Sequence, residues 1–128
     1  NATGAYRKHT QLYLGEGVYP TPEAESKYDL VVASGVFLDK HVPCTGIPEV
    51  VRALKQGGLF VTAMRSLYWV DGQENGYKDT FMELVNEGSL RIEKTHKFMR
   101  GRAADEHESS RNKFCCETQS ILLVFRKL

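Results

Sequence analysis

The chain lacks the features that most quickly place a sequence. Its longest uninterrupted apolar run is Ile121 to Phe125, far short of what a membrane-spanning helix needs. Its beginning, Asn1 to His9, is polar and has no apolar secretory core. There are only 3 cysteines among 128 residues, Cys44 and the adjacent Cys115 and Cys116. An odd count with one adjacent pair is a poor disulfide framework. No C-x-x-C is present, and His107 stands eight positions before Cys115, so metal-ligand spacing is absent as well. Charge of one sign is lacking too. The net charge of +1 argues against an extended nucleic-acid surface and gives no strong pull toward anionic lipid. Reduced thiols and no membrane segment make a cytoplasmic location the expectation. Asn1-Ala2-Thr3 fits the N-glycosylation pattern, but that tripeptide is frequent by chance.

What is present is an ordinary globular composition, with 41% hydrophobic and 26% charged residues, and a length that fits one domain over residues 1–128. His9 to Leu14 alternates polar and apolar residues and reads as a short strand, closed by Gly15-Glu16-Gly17. Pro20 and Pro22 impose an extended loop, and Glu23 to Lys27 reads as a polar turn. Tyr28 to Ala33 is nearly all apolar and rich in β-branched residues, the pattern of a parallel strand buried on both faces. Val36 to Gly46 is a loop. Ile47, Val50, Val51 and Leu54 follow helical spacing, with Pro48 suited to the first turn and Gly57-Gly58 placed as the stop. Leu59 to Met64 is a second apolar strand, and Arg65 to Gly76 a long polar loop. Tyr77, Phe81, Leu84 and Val85 share one helical face that ends at Gly88. Leu90 to Phe98 and Cys116 to Arg126 read as strands, separated by the charged, serine-containing stretch Gly101 to Asn112.

Strand–helix alternation predicts an α/β fold with a mainly parallel sheet. The last two strands have no helix between them, which permits an antiparallel pair and makes the sheet mixed.

The run Tyr28-Asp29-Leu30-Val31-Val32 resembles the fourth strand of class I S-adenosylmethionine-dependent methyltransferases. Pro48 to Met64 is similar to that family's next helix, Lys-Pro-Gly-Gly turn and fifth strand, with Gln56 in place of the proline. The terminal strand pair resembles the family's sixth and seventh strands. Val42-Pro43-Cys44 with Ile47-Pro48-Glu49, Arg65 and Tyr77-Lys78 carries a narrower resemblance, to the methyltransferase-like proteins of the Williams–Beuren syndrome region, over roughly residues 4 to 128. The resemblance implies a partial Rossmann-like methyltransferase fold with strand order third, second, first, fourth, fifth, seventh, sixth. It also implies S-adenosylmethionine as cofactor and methyl transfer to an unidentified small-molecule or protein acceptor. The glycine-rich loop that grips the cofactor and the acidic residue that holds its ribose have no counterpart here. The chain is therefore expected to be a fragment, with impaired cofactor binding, whose first 27 residues pack irregularly and whose Tyr28 strand is an exposed edge open to self-association.

By the same resemblance, Glu16 and Gly17 would flank the adenine, and Ser34 and Gly35 would pass beside the methionine part. Ligands of open α/β sheets do bind at the carboxyl ends of strands. A plain turn is the alternative for each pair. Arg65, at the end of the next strand, is a candidate to fork onto a substrate carboxylate or phosphate; an exposed surface arginine is the plain alternative. Tyr68 and Trp69 are candidates for a substrate lid or for packing over the helix at Tyr77. His41 is near the cleft, where a histidine can serve as general base, although a solvated loop histidine is the commoner case; His96 reads as structural. Two rival functions stand: an oxidoreductase using NAD, which would keep a parallel final strand after a crossover helix, and a non-catalytic interaction module.

Overall fold

A computed structural model describes residues 4–101 and 117–128 of the chain. The glycosylation-like tripeptide, Cys115, Cys116, and the polar stretch from residue 102 to Asn112 lie outside the described residues. The elements run β1 (Tyr28–Ser34), α1 (Gly46–Ala53), β2 (Leu54–Arg65), α2 (Tyr77–Asn86), β3 (Leu90–Gly101) and β4 (Glu117–Lys127), with a single 3-10 turn at Ser66–Tyr68. The four strands form one mixed sheet in the order β1-β2-β4-β3. β1 and β2 are parallel, and β4 inserts antiparallel between β2 and β3. This is the order expected for the fourth, fifth, seventh and sixth strands.

Three local expectations are corrected. His9 to Leu14 forms no strand, because residues 4–27 have no sheet neighbour to pair with and instead turn toward the end of α1. The amides of Ser26 and Lys27 donate to the carbonyls of Arg52 and Ala53 at 2.9 and 3.0 Å. The second correction concerns α1, which does not stop at Gly57-Gly58. Leu54 already turns extended, its N–H bonded to the Val51 carbonyl. The glycines serve β2 instead. Between the pairs Tyr28↔Leu54 and Leu30↔Leu59, β1 has one residue and β2 has four. That bulge needs a left-handed residue, Gly57 at φ +82, and a residue without a side chain. A Cβ at Gly58 would lie 2.9 Å from the Lys55 carbonyl and 3.1 Å from that of Asp29. Third, β1 is not buried on both faces: of its seven residues only Ala33 is buried.

α2 does end where its sequence says. Gly88 is left-handed at φ +87. Its N–H donates to Val85 and that of Ser89 to Leu84, a Schellman closure that satisfies the last carbonyls.

Alternation sorts the sheet into two unlike faces. Phe60, Thr62 and Met64 of β2 lie opposite Phe125, Leu123 and Ile121 of β4, and all six are buried. Both helices pack on this face, α1 through Ile47, Val50 and Val51 and α2 through Tyr77 and Phe81. Thr62, the polar member, donates its hydroxyl to the Ala33 carbonyl at 2.8 Å and so ties β2 to β1. The opposite face carries Leu30, Val32, Leu59, Val61, Ala63, Leu122 and Val124, none of them fully buried.

The core is aromatic. Phe81 stacks on Phe125 with centroids 4.5 Å apart and an interplanar angle of 2°. Phe60 and Phe37 approach Phe81 at 5.6 and 6.1 Å. Truncating a fully enclosed phenylalanine removes its transfer energy and leaves a void, so Phe81→Ala is expected to destabilise the fold by about 3–5 kcal/mol. Urea unfolding followed by circular dichroism measures this; a loss under about 1 kcal/mol would show that the rings do not carry the core.

Candidate functional site

The parallel strands β1 and β2 both end at one edge of the sheet, and the chain leaving β1 builds a groove there. Gly35 takes φ +66 directly after Ser34 and turns the chain across the sheet end. Three anchors fix the loop that follows. Phe37 is inserted among the rings of Tyr77, Phe81 and Phe60 at 5.3, 6.1 and 6.2 Å. The Asp39 N–H donates to the Tyr68 hydroxyl at 3.1 Å. The Tyr77 hydroxyl lies 2.9 Å from the Leu38 carbonyl and 2.8 Å from that of Val42, and its one proton is shared between them.

A second loop forms the facing wall. Glu49 of α1 is buried, yet its charge is answered: its two carboxylate oxygens accept the N–H groups of Gly15 at 2.6 Å and Gly17 at 2.8 Å. The Thr45 hydroxyl donates to the Gly15 carbonyl at 3.3 Å. Gly15 is pressed so closely that a Cβ there would come within 2.6 Å of Pro43 and Thr45. Together the two loops enclose a groove of about 570 Å³ lined by Leu12, Tyr13, Leu14, Glu16, Gly35, Val36, Lys40, His41, Val42 and Pro43. Its floor and sides are mostly apolar, with Glu16, Lys40, His41 and the phenol of Tyr13 as its ionisable groups, a composition that suits a flat, partly polar small molecule.

The fold thus brings Glu16 and Gly35 into one cavity, although they are far apart in sequence. Gly17 adjoins it as part of the Glu49 clamp, and a Cβ at Gly17 would meet nothing within 4 Å, so the space beside it is open. Ser34 is exposed at the end of β1, one residue before the groove lining. Arg65 is exposed at the end of β2 and lines a different depression with Ser66, Leu67, Thr118 and Gln119. Tyr68 is buried, edge-on to Tyr77 at 5.9 Å. Trp69 packs against Phe81 and Phe125 at 5.8 and 6.2 Å, with the Lys78 ammonium 5.8 Å from its ring. Both rings therefore take part in packing, and Tyr68 reaches the groove only by holding its loop. His41 lines the groove, with Nδ1 3.0 Å from the Asp39 carbonyl. His96 is exposed on β3, stacked near Phe98 at 6.3 Å. No cluster of three metal-ligating side chains exists among the described residues. None of the described helices is long and apolar enough to cross a membrane.

Sequence reasoning missed Glu49, Lys40 and the apolar wall Leu12–Leu14. Glu49 had a visible sign: an acid inside the apolar stripe of a short helix needs donors, and backbone amides of a Gly-x-Gly turn can supply them.

No protein-family model matches the chain, and no curated protein matches it. Solved structures do. A protein from Bacillus halodurans C-125, assigned as a methyltransferase, superposes with a TM-score of 0.54 at 16% identity, covering 84% of this chain and 68% of its own. The [4+2]-cyclase SpnF superposes with a TM-score of 0.51 at 16% identity, covering 84% of this chain and 52% of its own. The chain thus spans about half to two-thirds of the length of these structures. It shares their fold: a mixed α/β sheet with helices, of partial Rossmann-like architecture.

Two outcomes follow from the anchoring of the walls. Glu49→Ala leaves the Gly15 and Gly17 amides without acceptors, costing roughly 1–3 kcal/mol. It should collapse their hydrogen-exchange protection while Phe81 and Phe125 amides stay protected. Glu49→Gln, which keeps one acceptor oxygen, should retain part of that protection; unchanged protection in Glu49→Ala would show that the carboxylate is not the clamp. The second outcome concerns Tyr77, whose hydroxyl is held above its ordinary pKa by burial and by the neighbouring Tyr68. The folded state disfavours the phenolate, so its stabilising contribution is present below the unfolded tyrosine value and lost as pH rises past roughly 10. Tyr77→Phe should lower stability by about 1 kcal/mol at neutral pH. It should also flatten the alkaline decline of the melting temperature, and an unchanged decline would assign it to other groups.

Proposed function

We propose that this chain forms the adenosine-and-methionine-facing wall of an S-adenosylmethionine-dependent methyltransferase, and that the whole protein transfers a methyl group to a small-molecule or protein acceptor. The observation that carries the reading is the meeting of Glu16 and Gly35 in one groove at the carboxyl ends of parallel strands, within a sheet whose strand order fits that class. The narrower resemblance to the Williams–Beuren region proteins, and a cytoplasmic setting, belong to the same proposal.

The groove's chemistry suits the ligand. The apolar side chains of Leu14, Val36 and Val42 offer contact to an adenine face, and the Glu16 carboxylate is an acceptor for an exocyclic amine. Gly35 lets the backbone approach closely beside the methionine part, with Ser34 next to it. When bound, the cofactor would supply an electrophilic methyl group. The chain's own contribution would be to hold the adenosine end and orient the sulfonium, since transfer to a reactive nucleophile proceeds by proximity and alignment without a dedicated base. Arg65, Tyr68 and Trp69 belong to this proposal as the substrate side, Arg65 as an exposed cation and the two rings as supports of the surrounding loops. The NAD-oxidoreductase alternative fits less well, because β4 runs antiparallel where that class would keep a parallel final strand.

These residues furnish one wall and no glycine-rich loop to cradle the cofactor's amino-acid end. Affinity of the isolated chain for S-adenosylhomocysteine is accordingly expected to be weak, in the millimolar range or poorer. Titration calorimetry measures the affinity, and micromolar binding would contradict that expectation. Amide chemical shifts at millimolar ligand locate the site: movement at Glu16, Gly17, Gly35 and His41 supports the reading, and movement confined to the Arg65–Gln119 depression or to β3 sinks it.

A further inference from the structure

A second cavity is built by the same elements that hold the groove. Beyond β2 the chain makes the 3-10 turn Ser66–Tyr68, and Tyr68 and Tyr77 fix the groove's loop through their hydroxyls. Their neighbours in sequence serve a different space. Ser66, Trp69 and Lys78 line a cavity of about 440 Å³ together with Thr95, Lys97 and Ile121. The register explains how β3 reaches it. Thr95 lies opposite Leu123 and Lys97 opposite Ile121, so both side chains rise on the face that α2 covers.

Three features of this cavity suit an anion. The Ser66 hydroxyl oxygen is buried and bonds to no protein group, the only such side-chain atom among the described residues. A buried hydroxyl left unbonded costs about 1–3 kcal/mol, which a ligand oxygen would recover. Lys97 is exposed and forms no ion pair among the described residues. Lys78, by contrast, is held in place: its side chain is 25% exposed, with the ammonium 3.1 Å from Asp71 and 5.8 Å from the centre of the Trp69 ring. Asp71 is 82% exposed, so water screens its hold on Lys78. Arg65 adds a third cation from the neighbouring depression, which shares Ser66. Positive charge therefore exceeds negative around Ser66, beside an apolar wall of Trp69 and Ile121.

We propose that this cavity binds the carboxylate of a small, flat, largely apolar molecule. Lys78 and Lys97 supply the charge, the Ser66 hydroxyl donates a hydrogen bond, and Trp69 provides the surface against which the flat body lies. A bare ion would use the ammonium groups and leave that apolar wall wet. The further role of this molecule as the methyl acceptor rests on the methyltransferase reading. The segments Ser66–Trp69 and Tyr77–Lys78 contribute to both cavity and groove, so acceptor and cofactor would be held by shared elements. Binding of the carboxylate itself stands apart from that reading.

Benzoate titrated into the chain at millimolar concentrations, followed by amide and indole chemical shifts, tests this. Two companion probes divide its chemistry: benzamide has no charge, and inorganic phosphate has no apolar body. Benzoate is expected to move the signals of Ser66, Trp69, Lys78, Thr95 and Lys97 along a saturating curve, with both companions binding roughly threefold or more weakly. Lys78→Met and Lys97→Met should each weaken benzoate roughly threefold, and the double variant roughly tenfold. Lys94→Met should change it little, because Lys94 lies opposite Val124 on the other face. Ser66→Ala separates a hydroxyl meant for a ligand from one that supports the fold. It removes an unbonded polar group, so the melting temperature should hold or rise while benzoate binding weakens. Unchanged affinity in Ser66→Ala or in the double lysine variant overturns the site. Phosphate binding as tightly as benzoate overturns the carboxylate class in favour of a bare oxyanion. S-adenosylhomocysteine, titrated separately, keeps the two readings apart: its shifts at Glu16 and Gly35 should persist in the double lysine variant, whichever way benzoate behaves.

Discussion

The wall of the groove built by the chain leaving β1 depends on the ring of Phe37 being held in the aromatic core. Phe37 belongs to the loop after β1, not to a helix or strand, yet it is 1% exposed and touches Phe60, Tyr77 and Phe81. Enclosing one such ring is worth about 2–3 kcal/mol, enough to hold a connection in one conformation. Once it is seated, Asp39 and Val42 come within reach of the Tyr68 and Tyr77 hydroxyls, and the loop's backbone groups find partners that water would otherwise supply. The wall of the groove is thus an extension of the core. The opposite wall has a different cause: a buried carboxylate on α1 that needs two donors, and two amides that need an acceptor. Each makes the other's burial tolerable.

The strands and helices were legible because their signals are local. The β-branched run at Tyr28, the helical spacing of Tyr77, Phe81, Leu84 and Val85, and the left-handed stop at Gly88 need no knowledge of the rest of the chain. Strand order came from the resemblance; periodicity is silent on which strands are neighbours. Where local reading failed, a distant partner decided the outcome. His9 to Leu14 alternates like a strand but has no neighbour. Gly57-Gly58 looks like a helix stop because glycine accepts left-handed angles anywhere, and the carbonyl of Asp29 determines that these two serve a bulge.

The candidate site was legible to a lesser degree, and the division follows the physics. Gly35 and Glu16 could be marked from their positions at the ends of elements. Glu49 could not be assigned its role, since its donors lie more than thirty positions earlier. From sequence Tyr68 suits a substrate lid and packing over the helix at Tyr77 equally, and it is enclosed edge-on to Tyr77. A tyrosine presents a large apolar ring and one polar atom, and sequence does not reveal which of the two a loop will use.

The fold by itself does not choose the reaction. SpnF, a [4+2]-cyclase, shares this sheet as well as the Bacillus halodurans protein does. The arrangement of residues here explains how one frame can serve different chemistries. The side chains that fix the groove, Phe37, Glu49, Tyr68 and Tyr77, are buried and turned into the protein. Glu16, Lys40 and His41, which face the ligand space, are exposed and hold no part of the core. Their replacement would alter what the groove recognises at little cost in stability, since exposed positions of this kind usually tolerate substitution within about 0.5 kcal/mol. Shape and chemistry are carried by separate residues. The buried residues set the shape of the proposed groove, and the exposed side chains that line it, Tyr13 included, would set what it recognises.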